Sequence, residues 1–183
     1  MFKSEKVFYY VDEDDNVEIS TGQIVAETCR PSQFIFGMFG FGGLGNSLRI
    51  SNFVKMPKTD YIIWSTIFNE NNLYNNSLIW YETINNKLGV ITRTRDISDD
   101  NLVVSNTELE IEPNTKYLVF SRYNSYFMFH GVYQFDYSIV QDGKLTIYYK
   151  RIATKYKYKL SQNLKGNKKI VPTTFKVGKE WLP

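Results

Sequence analysis

Apolar and polar residues alternate over short runs along most of this chain, and no helical spacing persists for more than about three turns. The strongest pattern runs from Lys116 to Arg151, where aromatic and β-branched residues dominate. Two turn signals, Asn124-Ser125 and Asp142-Gly143, cut it into three strands. An Asp-Gly pair favours a tight hairpin because both residues accept positive φ. This β meander is the element around which the rest of the chain is expected to be organised.

Upstream, residues 5–11 read as a strand ended by the acidic turn Asp12 to Asn16, with Val17 to Ser20 pairing back onto it. Thr21 to Cys29 reads as a short helix capped by Thr21 and stopped by Pro31. From Phe36 to Gly45 five glycines are interspersed with large apolar residues, which reads as a connecting loop. Ser47 to Val54 and Asp60 to Phe68 form the next strands around a Pro57 turn. The second of these is apolar on both faces and so is expected inside a sheet. After an Asn-rich loop, Ser77 to Ile84 and Lys87 to Thr94 read as a hairpin turning at Asn85-Asn86. Arg95 to Asn106 is loop-like, Glu108 to Glu112 an edge strand, and Pro113 a stop. Past the meander, residues 153–160 alternate strictly, with Lys155, Lys157 and Lys159 on one face and Tyr156, Tyr158 and Leu160 on the other. The expected fold is mainly β (a β-rich α+β fold), a small, highly curved sheet or barrel with few short helices. Residues 1–160 make one domain and 161–183 a basic C-terminal arm.

Composition adds three constraints. The chain has 183 residues with one cysteine and one histidine, so an internal disulfide is excluded and a Cys/His zinc site lacks ligands. The N-terminal apolar run is too short for a signal peptide or a membrane span, and a cytoplasmic location without membrane association is expected. The net charge of +3 conceals a segregation. Residues 144–183 hold 11 of the 22 lysines and arginines and a single acid, Glu180, a balance of +10; residues 1–143 carry 11 bases and 18 acids, a balance of −7. Such a split suits a polyanionic partner, and equally a solvated lysine-rich edge.

Candidate chemistry is sparse. Gly40 to Gly45 has the glycine spacing of a dinucleotide loop, but no βαβ unit surrounds it. His130 lacks a visible partner and reads as structural rather than catalytic, and nothing near Cys29 would activate its thiol. Carboxylates cluster at Asp12 to Asp15, at Asp96 with Asp99 and Asp100, and at Glu108, Glu110 and Glu112. Only the last set shares a strand face on which Mg²⁺ could be held. The aromatic set is more suggestive. Trp64, Trp80 and Tyr81 lie in strands, so they are candidates for a base-sized pocket or, one by one, for core packing. Phe39 and Phe41 could form a wedge loop or pack on the sheet. Lys150, Arg151, Lys155, Lys157 and Lys159 are the candidate phosphate contacts. No cofactor is expected.

The order of Gly42-Gly43, Leu78 to Glu82, Ser105-Asn106, Tyr117 to Phe120 and Phe129 to Tyr133 resembles the PUA-like modules related to SRA domains. These accompany nucleases in bacterial restriction systems. The resemblance spans residues 40–151. It implies a β-barrel module that binds DNA, with a modified or flipped base as its target. Where that group has Tyr-x-Gly, this chain has Tyr81-Glu82-Thr83, a departure at the motif of the base pocket; with no HNH or other nuclease domain attached, the resemblance implies recognition without cutting.

Three functions follow as expectations. The first is a non-enzymatic module that binds nucleic acid, DNA before RNA, in a bacterial or phage defence setting. The second is a phage or mobile-element protein that binds and inhibits a host defence protein, with a nuclease or other defence-complex protein as partner. The third is a compact Mg²⁺-dependent restriction nuclease built on Glu108, Glu110 and Glu112.

Overall fold

The computed structural model describes residues 7–27, 30–41, 53–68, 80–96, 114–123 and 126–167. Its elements are β1 (Asn16–Ser20), β2 (Ile24–Glu27), α1 (Pro31–Phe39), β3 (Phe53–Lys55), β4 (Tyr61–Thr66), β5 (Tyr81–Asn85), β6 (Val90–Asp96), β7 (Lys116–Tyr123), β8 (Tyr126–Gln141), β9 (Lys144–Ala153), β10 (Lys155–Lys159) and a 3-10 turn (Gln162–Asn167).

The meander forms as its sequence dictates. β7, β8 and β9 pair antiparallel, and the β8–β9 hairpin turns at Asp142 (φ 51°) and Gly143 (φ 72°), two left-handed residues that match strand twist. The other turn signal, Asn124-Ser125, lies outside the described residues. The meander is the middle of a sheet ordered β3-β4-β7-β8-β9-β6-β5, with β2 on the N-terminal part of β8. β4 runs parallel to β7, and β1 pairs with β10 in a separate two-stranded sheet.

Three local expectations are corrected. Residues 24–27 are a strand, and Pro31 begins a helix instead of ending one: it occupies the first turn, where its missing N–H costs nothing. α1 absorbs Phe36 to Phe39 from the expected loop and ends at Gly40 in the left-handed conformation, whose N–H reaches the Phe36 carbonyl at 2.7 Å. Residues 17–20 meet 7–11 at the Val11–Val17 bridge, and pair along their length with β10 instead. The β5–β6 hairpin stands, but its turn extends from Asn86 to Gly89.

The sheet separates two apolar clusters. On its outer face, Ile63, Leu118, Phe120, Phe127 and Phe129 are covered by α1 and the β1–β10 pair, with Phe34 of α1 stacked on Phe127 at 4.3 Å. Leu164 also belongs to this cluster, so packing continues past residue 160. On the inner face lie Trp64, Tyr117, Val119, Tyr133, Leu145, Ile147 and Tyr149. β4 and β9 are three places apart in the sheet, about 14 Å if it were flat, yet Trp64 and Tyr149 stand 5.0 Å apart. The sheet is therefore strongly curled. It is not a barrel: among the described residues no backbone ladder joins β5 to β3, and the two ends meet through side chains.

Gly40 is where helix and C-terminal turn touch. A Cβ there would collide with the Ser161 side chain in a backbone conformation that disfavours L residues. Gly40→Ala is expected to lower stability by about 1–2 kcal/mol, before any cost of displacing Ser161; urea unfolding checks it, and an unchanged midpoint would mean the packing there is slack.

Candidate functional site at the seam of the sheet

The seam between the sheet ends is built from residues with inward parity. On β5, Glu82 and Ile84 point inward while Tyr81, Thr83 and Asn85 point out. Trp80 shares the parity of Glu82 and packs on the inner cluster. Arg93 and Arg95 of β6 reach the same side. The Arg93 guanidinium lies 4.3 Å from the ring centre of Trp80, 4.6 Å from Phe53 and 5.7 Å from Trp64. Its Nε donates to Glu82 Oε1 at 3.0 Å, and the other Glu82 oxygen accepts the Thr66 hydroxyl. A cation thus sits among aromatic faces, charge-balanced by a buried, doubly hydrogen-bonded carboxylate. β3 and β4 from one end of the sheet and β5 and β6 from the other all contribute.

Beside the seam lies a second polar group. His130 is the extra residue of a bulge in β8: Val119 pairs with Gly131 and Phe120 with Phe129, leaving His130 between them. The bulge aims its imidazole inward, where it meets Ser121 Oγ through Nε2 at 2.6 Å and Asn86 Oδ1 through Nδ1 at 2.6 Å. Phe68 covers it edge-on at 5.8 Å. Arg151 turns inward as well and donates to the Asn86 carbonyl at 3.1 Å. Gly131 makes room: at φ 114°, a Cβ there would lie 2.6 Å from Arg151 Cδ and 2.8 Å from the Ala153 carbonyl.

The order Ser121–His130–Asn86 is that of a nucleophile, a base and an orienting group. The electrostatics oppose that use. Burial, and then the Arg151 cation, push the His130 pKa down to about 3, so the imidazole is a weak proton acceptor, and a neutral asparagine brings no counter-charge to its protonated form. The group is a neutral clamp tying the β5–β6 turn to β7 and β8.

Trp64 and Trp80 are thus brought together around Arg93. Trp64 itself is fully enclosed at 0% exposure, among Phe53, Phe68, Tyr117 and Tyr149. Tyr81 is 44% exposed and faces the opposite side of the sheet. Phe39 is buried in the outer cluster against Phe34, Phe120 and Tyr158, and Phe41 packs on Phe39; neither projects as a wedge. The reason is local: the chain is helical as far as Phe39, and α1 turns its apolar stripe onto the sheet, where a glycine loop would have left the rings free.

The alternation of β10 is as its sequence reads, with three lysines outward and Tyr156 and Tyr158 inward. Acidic and carbonyl groups stand among those lysines. Lys155 is 3.8 Å from Glu18, Lys157 is in register with Glu18, and Lys159 Nζ donates to the Asp14 carbonyl at 2.7 Å. Lys150 is on β9, 3.8 Å from Asp136, and the inward Arg151 does not join the lysine face. Among the described residues no group of three or more His, Cys, Asp or Glu side chains is placed to hold a metal ion. Cys29, Gly42-Gly43, Asp99, Asp100, Ser105-Asn106, Glu108, Glu110 and Glu112 lie outside the described residues.

Sequence reasoning missed Thr66, Glu82, Arg93, Ser121 and Asn86. Strand parity would have placed Glu82 beside Trp80, but the partners across the seam depend on curvature that no local pattern reports.

No family model matches the chain, and no curated protein matches it. Among solved structures, it is similar to the 5-hydroxymethylcytosine-specific restriction enzyme AbaSI, with a TM-score of 0.53 and 23% sequence identity over 79% of this chain. The matched region spans 44% of that enzyme's length. At this identity the likeness is one of fold.

Proposed function

We propose that this chain is a nucleic-acid-recognition module, acting on DNA before RNA in a restriction or counter-defence setting, and that it recognises without cutting. The observation that carries this reading is the seam: aromatic rings arranged around a guanidinium and a buried carboxylate, in a fold shared with an enzyme named for its specificity toward 5-hydroxymethylcytosine. Of the seam's rings, Trp64 is enclosed and the half-buried Phe53 and Trp80 are the ones within reach of a base, beside paired donors and acceptors of the kind that read base edges. Two buried donors on the same side, Trp64 Nε1 and Asn86 Nδ2, find no acceptor among the described residues. Such donors favour an acceptor-bearing neighbour, whether water or a base edge.

The outward lysines of β10 supply the phosphate contacts in this reading. Their ion pairs do not forbid it, since exposed pairs contribute about 0–1 kcal/mol and yield to a phosphate. Fluorescence anisotropy with duplexes carrying cytosine, methylcytosine or hydroxymethylcytosine, with single strands and with RNA, tests the proposal at two salt concentrations. Duplex binding is expected, with preference for a modified base. Replacing Lys155, Lys157 and Lys159 with Glu is expected to abolish binding while circular dichroism stays unchanged. In the lysine-to-alanine series the salt slope is expected to shrink by roughly one unit of log–log slope for each lysine replaced. Binding that is absent at low salt, or indifferent to these lysines, overturns the assignment.

A further inference from the structure

The outer face of the sheet is covered in part. Over β4, β7 and the first half of β8 it is sealed by α1 and the β1–β10 pair. Over the far half of β8 and over β5 the outward residues are exposed, and in the middle of β9 and β6 they are half-buried. Register aligns the outward residues in rows across these four strands. One row is Ile139, Thr146, Thr94 and Tyr81; the next begins with Tyr137 stacked on Tyr148 at 4.4 Å. Tyr137 and Ile139 remain 46% and 42% exposed. Threonines alternate with these residues, Thr146 and Thr94 in the first row and Thr92 and Thr83 in the second, so the face is apolar mainly through Ile139 and its three tyrosines.

The charges say what suits it. The middle of the face carries none, and each end carries one of each sign: Asp96 opposite Lys144, and Asp136 3.8 Å from Lys150. A face with a tyrosine-rich, uncharged centre and a charged rim has the anatomy of a protein interface, and its balanced charge gives a polyanion no foothold. The balance is also self-complementary, since a two-fold operation can set the lysine of one copy beside the aspartate of the other at both ends.

We propose that this face pairs with the same face of a second copy of the chain. Four strands about 4.8 Å apart and five to seven residues long give roughly 400 Å² of flat sheet on each copy. Side-chain relief enlarges that figure, yet it remains at the low end beside the roughly 800 Å² per partner of a standard interface. The association is therefore weak and transient. A module that pairs in this way presents two recognition seams on one duplex, with the gain in avidity that follows.

Sedimentation velocity on the full chain, without nucleic acid, from about 1 to about 300 µM tests it. A monomer–dimer equilibrium is expected, and the double variant Tyr137→Lys/Ile139→Lys is expected to raise Kd at least about tenfold. In a Cys29→Ser background, Thr146→Cys is expected to form a disulfide-linked dimer on mild oxidation, while Leu88→Cys, on the exposed β5–β6 turn, is not. A wild-type chain that stays monomeric throughout overturns the proposal, as does a double variant that dimerises like wild type or equal cross-linking at both positions. The recognition reading is tested separately, because none of these measurements contains nucleic acid.

Discussion

Glu82→Ala is expected to destabilise the fold by about 3–5 kcal/mol, the largest effect of any single substitution at the seam. The reason is the partner it abandons. Arg93 is largely buried, its Nε is 3.0 Å from Glu82 Oε1, and it is surrounded by Phe53, Trp64 and Trp80. Rings attract the cation but do not neutralise it, so removing the carboxylate leaves a buried positive charge and an orphaned Thr66 hydroxyl. Glu82→Gln keeps the hydrogen bonds, its amide oxygen accepting from Arg93 and its nitrogen donating to the Thr66 oxygen, but it leaves the cation uncompensated, so it should cost less than Glu82→Ala and still well above zero. If charge compensation is the main term, the double variant Glu82→Ala/Arg93→Met should recover part of the loss, since an apolar replacement of a buried pair is often tolerated. Urea unfolding of the three variants decides it. A Glu82→Gln midpoint equal to that of wild type would show that the carboxylate charge is immaterial and that hydrogen bonding and ring packing hold the seam.

The same residues show what the sequence makes legible. The Asp142-Gly143 turn and the alternation of Lys155 to Lys159 are local features, set by φ preferences and a period of two, and both take the form their residues predict. Pro31 is ambiguous for an equally local reason: proline stops one helix and starts another, and only the pairing of residues 24–27 with β8 settles which. The lysines illustrate the limit. Their outward parity follows from the chain, but their acidic neighbours come from β1, brought in by a pairing across more than a hundred residues. Arg151 is the sharper case. Beside Lys150 it reads as a second phosphate contact, yet strand alternation sets the two on opposite faces, and Arg151 turns inward to Asn86 through the room that Gly131 leaves. Glu82 faces Arg93 directly across the β5–β6 pair, but Trp64 meets Arg93 only because the sheet curls until its ends touch, a property of the summed twist of its strands rather than of any one of them.

His130 makes the fold acid-sensitive in a window set by its two pKa values. In the unfolded chain the imidazole titrates near 6.5, and in the folded chain burial, followed by the Arg151 charge, holds it down to about 3. Between these values the unfolded state binds the extra proton, so stability rises with pH. The contribution is fully present above about pH 6.5 and is lost as the pH falls toward the folded value. The expected slope is about 1 kcal/mol per pH unit, reaching on the order of 3 kcal/mol by pH 4. Exposed carboxylates such as Asp12, whose pKa is lowered chiefly by the backbone and side chain of Asn16, add their own acid loss at lower pH. The interval from pH 6.5 to 5 therefore isolates the histidine. In chemical unfolding across that interval, wild type should lose stability relative to His130→Gln, which can bond Ser121 and Asn86 but does not titrate. The imidazole ring protons should show no titration shift by NMR above pH 4. A flat difference between the two proteins, or a ring that titrates near 6.5, would show that water reaches His130 and that the clamp over the seam is open in solution.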